Sequence, residues 1–128
     1  MIKTITTGAL LAAAALLVTP TANAAPDGST WAAIAYSPTT GKAHLTTNAA
    51  SQLDAQNSAT ALCNQAAGDN SCKVVAYSNY CVSLATDPNP NDNAGYSGGR
   101  GTTLAAADAD AMSTAHSGWT IEGHGCNS

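Results

Sequence analysis

From residue 31 onward, short apolar stretches alternate with turn residues, and the spacing of the apolar positions changes from one stretch to the next. Residues 31–37 alternate Ala with Trp31, Ile34 and Tyr36 and read as a strand. Ser37-Pro38-Thr39-Thr40-Gly41 places Pro and Gly where a turn needs them. Residues 42–47 read as the returning strand, so the pair is a hairpin. Ser51 then starts a helix, with Asp54 three residues on as a weaker form of the capping box. Ala55, Ala59, Leu62 and Ala66 make one narrow apolar stripe whose small side chains let the helix lie close to a sheet. Residues 72–78 (C-K-V-V-A-Y-S) form the most strand-like run in the chain.

A second pass repeats the order. It predicts a strand over 80–86, a long turn over 87–93, a Gly-rich returning strand over 94–100, and a helix over 102–115 with Ala105, Ala109 and Met112 on one stripe. A closing strand follows over 119–124. The fold class this predicts is α+β. A mostly antiparallel sheet carries two short Ala-rich helices in a two-layer domain, arranged as pseudo-duplicated strand–strand–helix–strand units. Identity between the halves is low, so the repeat is a matter of pattern, and ordinary alternation of helices and strands is its rival explanation.

Ahead of this region lies an address. Lys3 precedes an apolar run from Ala9 to Val18, Pro20 breaks it, and Ala22-Asn23-Ala24 is the small-x-small pattern read by signal peptidase. The run is about half the length that a membrane span needs. The expected organisation is a signal peptide over 1–24 cleaved after Ala24, a mobile lead-in over 25–30, and a single domain over 31–128. The mature part is then expected to be secreted, with no membrane association once the signal is removed.

Composition sharpens this picture. The mature part holds 17 side chains of Val, Ile, Leu, Met, Trp and Tyr. A core so thin needs covalent help, and Trp31 and Trp119 are expected within it. Three basic residues against eight acidic ones argue against a nucleic-acid partner and against a polybasic membrane patch. All four cysteines, Cys63, Cys72, Cys81 and Cys126, lie in the mature part and suggest two disulfides. Three pairings are open. Cys63–Cys72 with Cys81–Cys126 is favoured, because the Gly68-Asp69-Asn70-Ser71 loop can turn the chain back between the first two, and Cys126 must be tied to something distant. No C-x2-C pair is present, which argues against a zinc site.

The run W-A-A-I-A-Y-S-P-T-T-G over 31–41 resembles the opening of the bacterial family called domain of unknown function (DUF) 4189. The resemblance continues through an Ala-rich helix ending in Cys63, the run C-K-V-V-A-Y-S-N over 72–79, Cys81, Gly95-Tyr96, the second Ala-rich helix and Cys126. The second half departs from the pattern. Residues 87–93 look like an insertion, and Glu122 and His124 stand where apolar residues are usual. The resemblance implies a small exported protein of mycobacterial type. It implies no catalytic residues.

Several constellations invite chemistry. Gly95-Tyr96-Ser97-Gly98-Gly99 matches the G-x-S-x-G nucleophile elbow, and Asp108 or Asp110 and then His116 or His124 follow in triad order. A chain this short has no room for the large parallel sheet an elbow needs. Residues 98–103 (G-G-R-G-T-T) precede a helix, so Arg100 and Thr102 are a weak anion-site candidate. Asp87, Asn89 and Asn91 match the start of an EF-hand loop, but Asp92 and Gly98 occupy its Gly and Glu positions. The three histidines share no metal spacing. Asp108 and Asp110 lie two apart on a helix and do not face one site. Tyr77, Tyr80, Tyr96, Trp31 and Trp119 are candidates for an interaction patch.

The functional expectation is a non-catalytic secreted protein, without cofactor or metal, that contacts an unknown protein partner as an effector or inhibitor. Its rivals are a small hydrolase using Ser97 with His116 or His124, and an envelope structural or stress protein.

Overall fold

The computed structural model describes residues 27–88 and 95–128. The signal-like segment and most of the 87–93 turn, including two of its three EF-hand-like positions, lie outside the described residues. The elements run β1 (Trp31–Tyr36), β2 (Ala43–Ala49), α1 (Gln52–Ala67), β3 (Lys73–Ser78), β4 (Cys81–Thr86), β5 (Tyr96–Gly101), α2 (Leu104–Met112) and β6 (Thr120–Cys126).

They form two antiparallel three-stranded sheets, ordered β2-β1-β3 and β5-β4-β6. The sequence predicts one sheet in two layers, and this is corrected to four layers: α1, the first sheet, the second sheet, α2. The cause lies in the two central strands. Along β1, Ala33 and Ala35 pack on α1, while Ala32, Ile34 and Tyr36 pack on the second sheet. Every residue of β4 is buried, Val82 and Leu84 toward the first sheet. A strand covered on both faces needs a layer on each side.

Little side-chain volume separates the layers. Ile34, Leu84 and Val82 are the largest fully buried side chains. Where flanking strands meet the opposite sheet, the second sheet offers Gly98, Gly123 and Gly125. A Cβ on Gly98 would collide with the Val75 carbonyl, and one on Gly125 with Leu45. On the other face of β5, Gly99 and Gly101 lie against the α2 backbone around Ala106, Ala107 and Ala111. The Gly-rich strand is therefore a thin spacer, without a side chain at Gly98 toward the first sheet and at Gly99 and Gly101 toward α2.

Both helices begin as hydroxyl-capped helices should. The Ser51 side chain accepts from Asp54 N at 3.1 Å, and that of Thr103 accepts from Ala106 N at 3.1 Å. Gly68 closes α1 in the left-handed conformation at φ 78°. The buried stripes differ from those expected. In α1 the stripe is Ala55, Ala59 and Cys63, and Leu62 is exposed. In α2 it is Ala107 and Ala111, and Met112 is exposed. The disulfide pulls Cys63 inward in the first case, and the bare β5 receives the two alanines in the second. The helix α2 also stops earlier than 115, where the Ser113 hydroxyl donates to the Asp110 carbonyl and competes with the backbone ladder. Trp31 and Trp119 are half-buried rather than core. Trp31 flanks the α1 layer beside Tyr77, and the Trp119 ring lies on Gly95.

The cysteines pair as Cys63–Cys72, joining the end of α1 to the start of β3, and Cys81–Cys126, which are register partners across β4 and β6. Beyond Cys126 the buried Asn127 ties three segments together. Its amide nitrogen donates to the carbonyls of Thr30 and Asn79, and its oxygen accepts from Asn48 N at 2.7 Å.

Two stability outcomes follow from this packing. Gly98→Ala is expected to destabilise by about 2 kcal/mol in urea denaturation, because backbone cannot move aside. Gly123→Ala, whose Cβ would meet Ile34 at an ordinary 3.5 Å, is expected to stay within about 1 kcal/mol of the parent. Replacing Cys81 and Cys126 by Ala is expected to cost about 4 kcal/mol, against about 2.7 kcal/mol for Cys63 and Cys72, since the longer loop restrains the unfolded chain more. Equal losses in the two double variants would contradict the loop-length account.

Candidate functional site

Strand alternation sets the candidate site. With Val82 and Leu84 facing the first sheet, Ser83 faces α2, and its partner across β4 and β6 is His124. One turn into α2, next to the buried Ala107, Asp108 reaches both. Its Oδ1 accepts from Ser83 Oγ at 2.7 Å and from His124 Nδ1 at 2.9 Å, and Oδ2 lies 3.1 Å from the same nitrogen. An ionised carboxylate only accepts, so Nδ1 carries a proton and Nε2 is the ring nitrogen turned away from Asp108. Ser83 is fully buried, whereas the His124 and Asp108 side chains are 40% and 29% exposed. Partial burial pushes the Asp108 carboxyl up, but the hydrogen bonds from His124 and Ser83, with the charge on His124, outweigh it and hold the group below its ordinary value.

The architecture does not require this polar trio. In the first sheet the cross-strand pair at the matching register is Ala33 and Tyr77, and the residue after the first buried alanine of α1 is Gln56. Ala33 fills the same kind of position with no polar group to satisfy. Burying the Ser83 hydroxyl is tolerated only because Asp108 accepts from it.

A second feature adjoins β6. Between Leu84 and Ala85 the β4–β6 register shifts, leaving Glu122 as the extra residue of a bulge. Glu122 lines a groove of about 420 Å³ between β2 and β6, together with Ile34, Ala43 and Leu45. Its Oε1 accepts from Thr86 Oγ1 at 3.1 Å. Nearby, burial pushes the Tyr36 phenol up, and the charges of Glu122 and Tyr96 add to the effect. His44 also borders the groove, but its register partner is Ala35, which faces α1. His124 borders the same groove from β6, and Lys42 lines it beside His44.

The residues singled out from the sequence are distributed as follows. Ser97 lies on the regular strand β5, not on an elbow, and its hydroxyl bonds Thr114 Oγ1 at 2.6 Å. Its register places it two strands and two residues from His124, on the order of 11 Å away. His116 packs edge-on against the Trp119 ring. Asp110 accepts from the Arg100 backbone N–H at 2.9 Å, well apart from Asp108. The candidate anion site does not form as a cradle: 96–101 is strand, the helix cap is Thr103 rather than Thr102, and the Arg100 guanidinium lies 5.7 Å above the Tyr77 ring. The aromatics fall into separate pairs, Trp31 with Tyr77 and Tyr36 with Tyr96, rather than one patch. Among the described residues no group of three His, Cys, Asp or Glu side chains is placed to hold a metal ion. Also among them, no helix is long and apolar enough to cross a membrane.

Sequence reasoning missed Ser83, because its role depends on register with His124, which no local pattern shows. A polar residue inside an otherwise apolar strand was the available signal.

The fold and the site thus define a disulfide-linked α+β sandwich with one carboxylate-anchored imidazole on its second half. Residues 31–127 match the family model described as Domain of unknown function (DUF4189), and the chain belongs to that family. No curated protein and no solved structure matches it.

The Asp108 network makes stability pH-dependent in a defined direction. A carboxyl held below its unfolded value contributes stability that is present above the unfolded pKa and is lost as pH falls through the folded one. Asp108→Asn is expected to lose about 1 kcal/mol at pH 7 and to flatten the fall in stability below about pH 4. Denaturation midpoints measured from pH 3 to pH 7 check this. A parent-like acid limb in the variant would show that other carboxylates carry it.

Proposed function

We propose that the protein is a small exported, non-catalytic member of its family, of mycobacterial type, that acts through surface contacts with a host or extracytoplasmic protein. The two units, with equal strand orders, capped helices and a bulge in each third strand, are read as a duplicated strand–strand–helix–strand pair. The observation that carries the reading is where the hydroxyls go. Ser83, beside the anchored imidazole, is buried and donates to Asp108, and Ser97 pairs with Thr114 at the far edge of the sheet. Neither is presented to a base. The two disulfides suit a domain that must persist outside the cell.

A hydrolytic reading has one observation in its favour, the Asp108–His124 pair, which orients the imidazole with Nε2 away from the carboxylate. An envelope structural or stress role has none that is specific to it. The discriminating experiment is capture of partners by the immobilised mature protein from culture filtrate and host lysate, run beside an ester-hydrolysis assay. A saturable protein partner with no turnover is expected. Turnover abolished by His124→Ala or by Ser97→Ala would replace the contact reading with the hydrolytic one.

A further inference from the structure

The chain has four lysines and arginines, and Lys3 belongs to the signal-like segment. Of the other three, Lys73 and Arg100 lie on one side of the sandwich, where β3 of the first sheet meets β5 of the second. Both are exposed. Lys73 is the register partner of Tyr36, whose ring faces the second sheet and lies 5.3 Å from that of Tyr96 on β5. Four residues further along β3, the Tyr77 ring carries the Arg100 guanidinium 5.7 Å above it, and the Trp31 ring lies 6.3 Å from Tyr77. A cleft of about 220 Å³ opens here, lined by Val75, Ala76, Tyr77, Arg100 and Asp110 among others.

The guanidinium is held in place with its donors still free. A cation over a ring uses the flat face of the group, whereas its N–H donors point outward in the plane. The ion pair found among the described residues is His124–Asp108, so neither Arg100 nor Lys73 has a carboxylate partner there. The neighbouring Asp110 accepts instead from the Arg100 backbone N–H at 2.9 Å. Main-chain pairing is closed off on this side, because Asp110 takes that N–H and Gly98 sits against the Val75 carbonyl. An occupant is therefore held through its side chains.

We infer that the β3/β5 side docks an extended acidic segment of a partner protein, with one carboxylate on the Arg100 fork, an apolar side chain against the Trp31–Tyr77 pair and a second carboxylate on Lys73. This rests on the surface-contact reading above and gives it a location and a chemistry. A guanidinium takes a carboxylate through two parallel hydrogen bonds. Stacking on Tyr77 fixes the fork before the partner arrives, so less freedom is lost on binding. Trp, Tyr and Arg are also the residues on which interface energy concentrates. Side chains four apart on one face of an extended chain are on the order of 12 Å from each other, which is the spacing from Lys73 to Tyr77 along β3. The net charge of −4 repels a long polyanion, so the fit is to a short segment whose few carboxylates match two cations in register.

Fluorescence anisotropy with a labelled peptide, in which two glutamates stand four residues apart around a leucine, tests the inference beside a counterpart with glutamine at both places. The glutamate peptide is expected to bind the parent, and the glutamine peptide to bind at least tenfold more weakly. Arg100→Gln is expected to weaken the glutamate peptide at least tenfold and Lys73→Gln at least threefold. Lys42→Gln, which changes the net charge equally just before β2, is expected to stay within twofold. Thermal melts of the three variants confirm folding, and amide shifts are expected at 73–77 and 98–100. Absent binding, equal binding of the glutamine peptide, unchanged binding by Arg100→Gln or Lys73→Gln, or equal weakening by Lys42→Gln would overturn the inference. A partner captured from lysate equally well by the parent and by Arg100→Gln would overturn the site while leaving the surface-contact reading standing. Peptide binding that follows Arg100 and Lys73, with no protein captured by the parent, would instead sink that reading and keep the site.

Discussion

The distance between layers governs this molecule, and glycine and alanine set it. Few large side chains are available, so burial has to come from close approach of backbones rather than from bulk. Gly98 against the Val75 carbonyl, Gly99 against α2 and Ala33 against α1 each bring backbone to within touching distance of the next layer. Dispersion contacts are individually tiny and fall off steeply with separation, so a thin, tightly closed sandwich gains what a looser one would lose. Such a core cannot relax around a methyl inserted at Gly98 or Gly99, where backbone lies opposite, and it supplies little surplus stability. The two disulfides and the Asn127 cluster offset that shortfall by fixing the helix–strand return, the end of β6 and the segment at Thr30.

The same constraint explains what the sequence did and did not disclose. The strand and helix segments were legible because turn residues punctuate them and the caps Ser51 and Thr103 are local chemistry, although the second cap falls one residue later than the helix start placed at Thr102. The number of layers was not legible. An alanine in a strand looks the same whether it faces a helix, a sheet or water, and Ala32 and Ala33 differ only in which layer they meet. The helix stripes shifted for a related reason. With alanine at most positions, the apolar period carries little information, and it is the bare β5 that selects Ala107 and Ala111. The G-x-S-x-G run misled in the same way, since its glycines answer to packing on both faces and not to a strained turn.

Of the candidate site, the second-half departures Glu122 and His124 were visible as polar residues in a strand pattern, and both turn out to occupy defined positions. Their partners were not visible. Ser83 and Asp108 join His124 only through the β4–β6 register and the seating of α2, which are properties of the closed fold. In the first sheet the cross-strand pair Ala33 and Tyr77 carries no comparable charge network. The Asp108 carboxylate then has two effects. It satisfies a buried hydroxyl, and it fixes which nitrogen of His124 is left outward.

The strand that carries Glu122 and His124, β6, has no fully buried residue. Gly123 and Gly125 leave β6 with few side chains facing the first sheet, and it lies at the edge of the second. A strand so placed would fray readily, since local stability follows buried contacts and hydrogen bonds. Cys126 locks its end to Cys81 in the central strand, and Asn127, one residue further, holds the carbonyls of Thr30 and Asn79 and the amide of Asn48. That anchorage lies at one end of β6, while the bulge at Glu122 and the imidazole of His124 lie along it. The covalent tie and the amide cluster thus stabilise the domain and also set the register on which the Ser83–Asp108–His124 contacts and the Thr86–Glu122 bond both depend.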